Sequence, residues 1–198
     1  MINNNKNRDQ SLNYSTITTE AVRLFGLSDN KTTHREKGLA AVGTAISMLT
    51  LYLTLKAYSG DQAIILLIAS IAASAVLVFT VPQGTYSQPW PILGSYLLSA
   101  LIGVTCQKWF LNLAIAIPIS VAGSMLAMSY CRCLHPPGGA VALTAVAGGP
   151  EISHLGYQFV LFPVTINAGM LLFTAYCFNR LLTGIWPTTN KNSESTDL

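Results

Sequence analysis

Charged residues are scarce in this sequence. They make up 10% of the 198 residues, while hydrophobic residues make up 51%; an ordinary soluble domain has about 25% charged residues. Only five charged residues lie between positions 38 and 179: Lys56, Asp61, Lys108, Arg132 and Glu151. The composition therefore predicts a membrane protein. It also excludes nucleic acid as a partner, because no basic patch with interleaved aromatic residues is present.

The sequence also predicts no cleavable leader. The first 36 residues are polar and lack the apolar core of a secretory signal, and Asp9, Glu20 and Glu36 argue against an organellar transit peptide. All hydrophobic segments are therefore expected to be retained. Within this polar tail, residues 19–27 are either a short amphipathic element on the membrane surface or disordered. Residues 183–198 form a second polar tail.

Cysteines are few, at positions 106, 131, 133 and 177. Their position in or beside apolar segments argues against a disulfide framework. The spacing Cys131-x-Cys133-x-His135 does not favour a metal site, since Cys133 would point away from the other two on a helix. The apolar segments also lack paired carboxylates, a metal triad and a nucleophile beside a base. No cofactor, metal or enzymatic activity is therefore predicted.

Five hydrophobic segments are close to the roughly 20 residues that cross a bilayer as a helix. They occupy about 38–58, 62–81, 92–107, 110–133 and 155–180. The predicted fold is an all-α, polytopic helical membrane bundle, with the transmembrane domain at 37–182. Small residues four apart, such as Ser70 with Ser74 and Ser95 with Ser99, predict close helix packing, and their hydroxyls can also donate to a permeating solute.

The segment His135-Pro136-Pro137-Gly138-Gly139-Ala140 interrupts this apolar sequence. The two prolines remove backbone donors, and the first disfavours helical geometry at His135. Proline is tolerated at the first position of a helix, so a short helix is expected at 137–147. Because it is too short to cross alone, it is interpreted as a broken or re-entrant half-helix, buried by protein or lining a wet cavity.

The start of this half-helix is the predicted binding site. The amides of Gly138, Gly139 and Ala140 are expected to be free, and a helix start favours a small anion. His135 is either a switchable donor, since its ordinary pKa of about 6.5 lies near neutrality, or a neutral cap of the preceding helix. Ser74, Ser99 and Asn167 are predicted as further contacts, with Pro136 and Pro137 shaping the site.

The sequence predicts the side of the membrane on which the N-terminus lies but leaves the side of the C-terminus open. Arg23, Lys31, Arg35 and Lys37 precede the first segment, which predicts a cytoplasmic N-terminus in a cell membrane. Five crossings would place the termini on opposite faces, whereas a half-helix that passes through would place them on the same face. Since the pattern shows one helix break, a pathway would require a second copy of the chain.

The motif resembles the signature of the HPP family of small integral membrane proteins. Two earlier stretches are also similar to that family: Ala72-Ala73-Ser74-Ala75-Val76-Leu77-Val78-Phe79 resembles a GASAVLLF-like span, and Gln88-Pro89 with Gly94 resembles a Gln-Pro-Arg-Asn-x-x-Gly-Gly-His segment. The resemblance covers residues 36–182. It implies a compact bundle, usually described as having four spans, and nitrite transport as in the plastid and cyanobacterial members of the family. The family's Arg-Asn is Trp90-Pro91 here, and its Gly-Gly-His is Gly94-Ser95-Tyr96.

Together these features predict a transporter or channel for a small monovalent anion, with nitrite or nitrate foremost. The expected partners are the lipid bilayer, the anion and a second copy of the chain. The alternative is a membrane anchor or assembly subunit that transports nothing.

Overall fold

The computed structural model describes residues 32–58, 61–182, 184, 186 and 187, without the side chains of 57–68 and 182. The predicted element at 19–27 and most of both tails lie outside these residues. Seven α-helices occur in the described part: α1 His34–Tyr58, α2 Asp61–Thr80, α3 Pro89–Trp109, α4 Leu113–Tyr130, α5 Pro137–Ala147, α6 Pro150–Leu155 and α7 Ile166–Leu182. The same residues contain no β-strand, which confirms the all-α prediction.

Four helical stretches are long and apolar enough to cross a membrane. They are His34–Lys56, Pro89–Trp109, Leu113–Tyr130 and Val160–Leu181. Two shorter apolar stretches, Ala69–Thr80 in α2 and Pro137–Ala147, accompany them. The polytopic bundle is therefore confirmed, and the short helix begins and ends at the residues that the sequence predicts.

Local sequence explains where several helices begin. Proline occupies the first turn of α3, α5 and α6. An N–H group at this position has no partner within the helix, so proline removes no hydrogen bond there. Asn112 precedes α4, and its side chain accepts a hydrogen bond of 2.9 Å from the amide of Ala114. This side-chain cap satisfies one of the free donors at the start of the helix.

The helices run back and forth between two ends of the bundle. The first, called the Pro89 end, is where α2 and α4 end and α3 begins; the second, the Lys108 end, is where α3 ends. The side chain of Asn179, late in α7, donates to the carbonyl of Val78, late in α2. Trp186 then donates to the carbonyl of Ser87 beside the start of α3. The chain therefore leaves α7 at the Pro89 end.

The short helix α5 passes through the bundle. Its first turn lies against Ser95, near the start of α3, and Val146 packs with Cys106 near the end of α3. The chain that follows stays at the Lys108 end, where Lys108 lies over the ring of Tyr157 at 5.4 Å. Of the two topologies that the sequence leaves open, the structure thus has the one in which the helix passes through.

Both ends of the described chain consequently lie at the Pro89 end. Gly43, early in α1, is packed so closely on Phe79, late in α2, that a Cβ atom there would lie 2.6 Å from the ring. This contact places the start of α1 at the same end as Trp186. The short α5 therefore connects the two ends of the bundle, although it is shorter than the four stretches that are long enough to cross a membrane.

The main core joins α1, α2, α3, α5 and α7 through buried aliphatic and aromatic side chains. Helices α3 and α5 approach most closely at Gly103. A Cβ atom on Gly103 would lie 2.7 Å from the Cβ of Ala145 and 2.8 Å from the carbonyl oxygen of Ala142. Small residues at helix contacts let backbones approach in this way. The predicted packing role of the stripe on α3 is therefore seen at Gly103.

The last span differs from the continuous helix expected at 155–180. Helix α6 ends at Leu155, and a π-helical segment, Val160–Thr165, leads into α7. Within that segment Phe162 has non-helical dihedrals, φ −132° and ψ 120°, and Pro163 follows it. Since proline disfavours helical geometry at the preceding residue, Pro163 accounts for the interruption. The bundle therefore contains a second broken helix, and the expectation of one break was wrong.

Candidate functional site

The connection between α4 and α5 turns the chain back into the bundle. Arg132 has a left-handed backbone with φ 52°, and the amide of Cys133 donates to the carbonyl of Met128 at 2.9 Å. This is the bond pattern of a helix that ends in a left-handed turn. The indole of Trp90 donates to the carbonyl of Cys131, which ties the turn to α3. His135 is thereby directed between helices.

The ring of His135 is fully buried and makes two hydrogen bonds. Its Nδ1 lies 2.7 Å from the carbonyl oxygen of Tyr86, and its Nε2 lies 2.7 Å from the hydroxyl of Ser74. Because a carbonyl only accepts, Nδ1 carries the proton, and in the neutral ring Nε2 accepts from Ser74. The ring of His135 therefore does not cap the preceding helix. Its hydrogen bonds connect the loop at 81–88 and α2 to the start of α5.

Two further polar side chains, Ser70 and Tyr96, extend this hydrogen-bonded network. Together with Ser74 and His135 they form what we call the His135 cluster. The hydroxyl of Tyr96 lies 2.8 Å from that of Ser74 and 3.1 Å from that of Ser70. Ser70 donates to the carbonyl of Pro137 at 2.8 Å. All four side chains are at most 1% exposed. The cluster therefore ties α2 and α3 to the first residue of α5.

The amides at the start of α5 are not free, contrary to the prediction. Gly138 donates to the carbonyl of His135 at 2.9 Å, and Gly139 donates to that of Pro136 at 3.0 Å. A tight first turn satisfies donors in this way when no side chain caps the helix. Pro137 and Gly138 are buried, whereas Gly139 and Ala140 are half-buried and Pro136 is exposed. An anion could take these two amides only by displacing their bonds.

The other predicted contacts do not join the His135 cluster, apart from Ser74. Ser99 is buried in α3 and faces the sulfur of Met128 on α4, at 3.9 Å. Asn167 is 1% exposed in α7, and its Nδ2 has no hydrogen-bond partner. Ser124 in α4 is fully buried, and its hydroxyl also has no partner. The structure thus separates a satisfied cluster from two unsatisfied polar groups.

Sequence reasoning missed two members of the site. Tyr96 was noted only as a departure from the family segment, and the carbonyl of Tyr86 gives no signal in a sequence. The available signal for Tyr96 was its position one residue after Ser95, in a stripe of small polar residues. A tyrosine within an otherwise apolar span normally needs a partner for its hydroxyl.

The Cys131-x-Cys133-x-His135 spacing does not bring its side chains to one point. Cys131 is exposed, Cys133 is buried, and both ring nitrogens of His135 are already hydrogen-bonded. In the described part of the chain, no group of three His, Cys, Asp or Glu side chains could hold a metal ion.

A groove of about 490 Å³ lies between α1 and α7, away from the start of α5. Its lining is mainly apolar and consists of Thr50, Ile166, Gly169, Met170, Phe173, Thr174 and Cys177. Both flanking helical stretches are long enough to cross a membrane.

The fold and the buried polar cluster define a polytopic helical membrane protein. The family described as HPP, transmembrane region, matches residues 29–187. The chain therefore belongs to the HPP transmembrane family, as the motif at His135 indicated.

Two relatives from Dictyostelium discoideum are also similar to this chain, and both are named transmembrane proteins. One is 35% identical over 124 residues, which cover 61% of this chain and 43% of the relative. The other is 28% identical over 149 residues, which cover 73% of this chain and 48% of the relative. The chain thus matches less than half the length of either relative. No solved structure gives a significant match.

Proposed function

We propose that this protein is a transporter or channel for a small monovalent anion, with nitrite or nitrate foremost. The observation that carries the proposal is the set of uncharged polar side chains buried within an apolar bundle. Outside the His135 cluster it includes Ser99, Ser124 and Asn167, each at most 1% exposed. Polar groups inside a membrane are costly, so they usually mark a solute pathway.

The charge of the interior supports an anion rather than a cation. Among the described residues the buried polar side chains are serine, threonine, asparagine and histidine, with no aspartate, glutamate, lysine or arginine. Cation pathways use rings of carboxylates or converging carbonyls. Hydroxyl, amide and imidazole N–H groups instead supply donors, and these suit a weakly hydrated anion.

The broken helices support the same proposal. Interrupted helices in transporters commonly bring helix starts to the solute near the middle of the bilayer. This chain has one interruption before α5 and another at Phe162. The sequence predicted only one helix break, so a pathway was expected to need a second copy of the chain. Because one chain contains two breaks, that requirement no longer applies.

Uptake into proteoliposomes tests this proposal. Purified wild-type protein, Gly139→Leu and Gly139→Ala are reconstituted at matched density and given nitrite, nitrate, chloride or formate. A Cβ atom on Gly139 would meet its nearest neighbour, Val121, at 3.9 Å, so alanine fits. Saturable uptake by the wild type and by Gly139→Ala is expected, and Gly139→Leu tests whether a bulky side chain at the start of α5 obstructs the pathway. Uptake no greater than in empty liposomes for all four anions would overturn the proposal.

The second candidate is a membrane anchor or assembly subunit without transport. The observation in its favour is the complete internal pairing of Gly138, Gly139 and His135, which is typical of a structural joint. It predicts no uptake by the wild type, together with loss of folding or assembly when His135 is replaced.

The orientation is proposed to place the Pro89 end in the cytoplasm of a plasma or inner membrane. Four basic residues lie there, Arg35, Lys37, Arg132 and Arg180, whereas the Lys108 end has Lys56 and Lys108. Excess lysine and arginine favour the cytoplasmic side. Both tails would then be cytoplasmic.

Thiol labelling of intact cells tests this orientation. Cys131 is exposed at the Pro89 end, while Cys106 and Cys133 are buried. A membrane-impermeant maleimide should label Cys131 in inside-out vesicles but not in intact cells. The control is Leu111→Cys in a Cys131→Ser background, because Leu111 is fully exposed at the Lys108 end. Labelling of Cys131 from outside intact cells would reverse the orientation.

A further inference from the structure

The side chain of Asn167 is the most unusual polar group in the described bundle. It lies in the first turn of α7, between Val164 and Leu171, which are both part of the main core. It is 1% exposed, and its Nδ2 has no hydrogen-bond partner. An amide nitrogen has two N–H donors, and leaving them unpaired in an apolar interior is unfavourable. The side chain is therefore suited to a ligand that accepts hydrogen bonds.

The backbone beside Asn167 is interrupted, which is an independent observation. Phe162 leaves helical geometry, and Pro163 has no N–H. The hydroxyl of Thr165 donates to the carbonyl of Val160 at 2.6 Å and so satisfies one group near the interruption. Non-helical backbone at membrane depth is tolerated where protein buries it or where it lines a cavity. The unpaired buried donor of Asn167 thus lies five residues after the interruption at Phe162.

Asn167 also lies inside the apolar stretch Val160–Leu181, away from the Pro89 end. It precedes Asn179 by twelve residues, and Asn179 bonds to Val78 near the Pro89 end. At 1.5 Å per residue, Asn167 is about 18 Å from that level, in a hydrocarbon core about 30 Å thick. Solute sites of transporters with broken helices lie at this depth.

The start of α5 offers no comparable donor. The amides of Gly138 and Gly139 are paired with nearby carbonyls, and both nitrogens of His135 are bonded. A ligand there would have to break at least one existing bond. At Asn167 it would gain a hydrogen bond without breaking one.

We propose that the solute site lies at Asn167 and the start of α7, where it binds a small monovalent oxyanion, and that the His135 cluster is a structural joint. This inference rests on the proposed transport function and assigns its site. The ligand accepts a hydrogen bond from the amide nitrogen. A single negative charge suits this donor, because a hydrogen bond to a charged acceptor is stronger than one to a neutral acceptor.

The variants that test the site are Asn167→Leu, which removes the donor but keeps the number and branching of the heavy atoms, and Asn167→Asp, which replaces it with an acceptor. The matched control is Thr144→Val. Thr144 is also buried, but its hydroxyl donates to the carbonyl of Ala140 in its own helix. Thermal unfolding in detergent is measured with nitrite, nitrate, chloride and formate, and uptake is measured in parallel.

Nitrite or nitrate should raise the Tm of the wild type and of Thr144→Val but not that of either Asn167 variant. The concentration for half-maximal uptake should rise roughly ten- to hundredfold in Asn167→Leu, as expected for the loss of one hydrogen bond to a charged group. Without anion, Asn167→Leu should unfold at or above the wild-type temperature, because no bond is lost.

The possible outcomes distinguish a failure of the proposed site from a failure of the proposed transport function. Uptake by Asn167→Leu with an unchanged half-maximal concentration would overturn the site and leave transport standing. A Tm shift that depends on Asn167, without uptake by the wild type, would support the site and overturn transport. Neither a shift nor uptake in the wild type would overturn both.

Discussion

The starts of α5 and α7 differ in how their polar groups are satisfied. Both follow a proline that interrupts the helical pattern. At α5 the buried His135 makes two hydrogen bonds of 2.7 Å, and the next amides pair with nearby carbonyls. At α7 the buried Asn167 has an unpaired nitrogen. At the first break the polar groups are thus paired within the protein, whereas at the second break one buried donor remains available.

The largest expected effect comes from removing His135. His135→Ala leaves the carbonyl of Tyr86 and the hydroxyl of Ser74 without their partner and opens a cavity, and we expect a loss of about 3 kcal/mol in the free energy of unfolding. Unfolding by denaturant in mixed micelles measures it. The matched control is His154→Ala, because His154 is exposed, and its change should stay within about 0.5 kcal/mol. Equal losses in both variants would contradict a structural joint at His135.

The next effect concerns the contact of α5 with α3. In Gly103→Ala the new methyl group would meet Ala145 and the backbone of Ala142 below 3 Å, so a loss of about 2 kcal/mol is expected from overpacking. In Gly139→Ala the new methyl group would make an ordinary contact with Val121 at 3.9 Å. The substitution should therefore be neutral or gain up to about 1 kcal/mol, since alanine favours a helix. Thermal unfolding of both variants checks the difference. A tolerated Gly103→Ala would show that the two helices are farther apart.

Within the His135 cluster, Ser74→Ala should lose about 1–2 kcal/mol. The substitution removes the partner of both the imidazole and the hydroxyl of Tyr96, and unpaired buried groups cost about this much. The free energy of unfolding is measured for Ser74→Ala, His135→Ala and the double variant. A shared network predicts that the two losses do not add. Strict additivity would count against a hydrogen bond between these side chains.

The smallest effect is expected at Ser124. Its buried hydroxyl has no partner, so Ser124→Ala loses no hydrogen bond and should change stability by less than about 0.5 kcal/mol, or raise it slightly. The same unfolding experiment measures this change. A loss as large as that of Ser74→Ala would mean that Ser124 has a partner, and the comparison of satisfied and unsatisfied groups would then not hold there.

The sequence by itself determined the spans and the first break. Long uncharged apolar runs predict helices of membrane length, because backbone groups in lipid must be paired within the segment. The prolines at 136 and 137 set the start of α5 at the observed residue, since they act on the local backbone. The family was likewise evident from the motif and two earlier stretches. These features depend on residues close together in the chain.

Only the tertiary structure decided which polar groups form hydrogen bonds with one another. His135 bonds to the carbonyl of Tyr86, 49 positions away, and Ser70 to that of Pro137, 67 positions away. A sequence shows neither which carbonyl is near nor whether a first-turn amide finds one. It also left open whether α5 passes through the bundle, because that depends on where α6 and α7 pack. Asn167 was visible as a polar residue in a span, but its lack of a partner is a property of the packed helices.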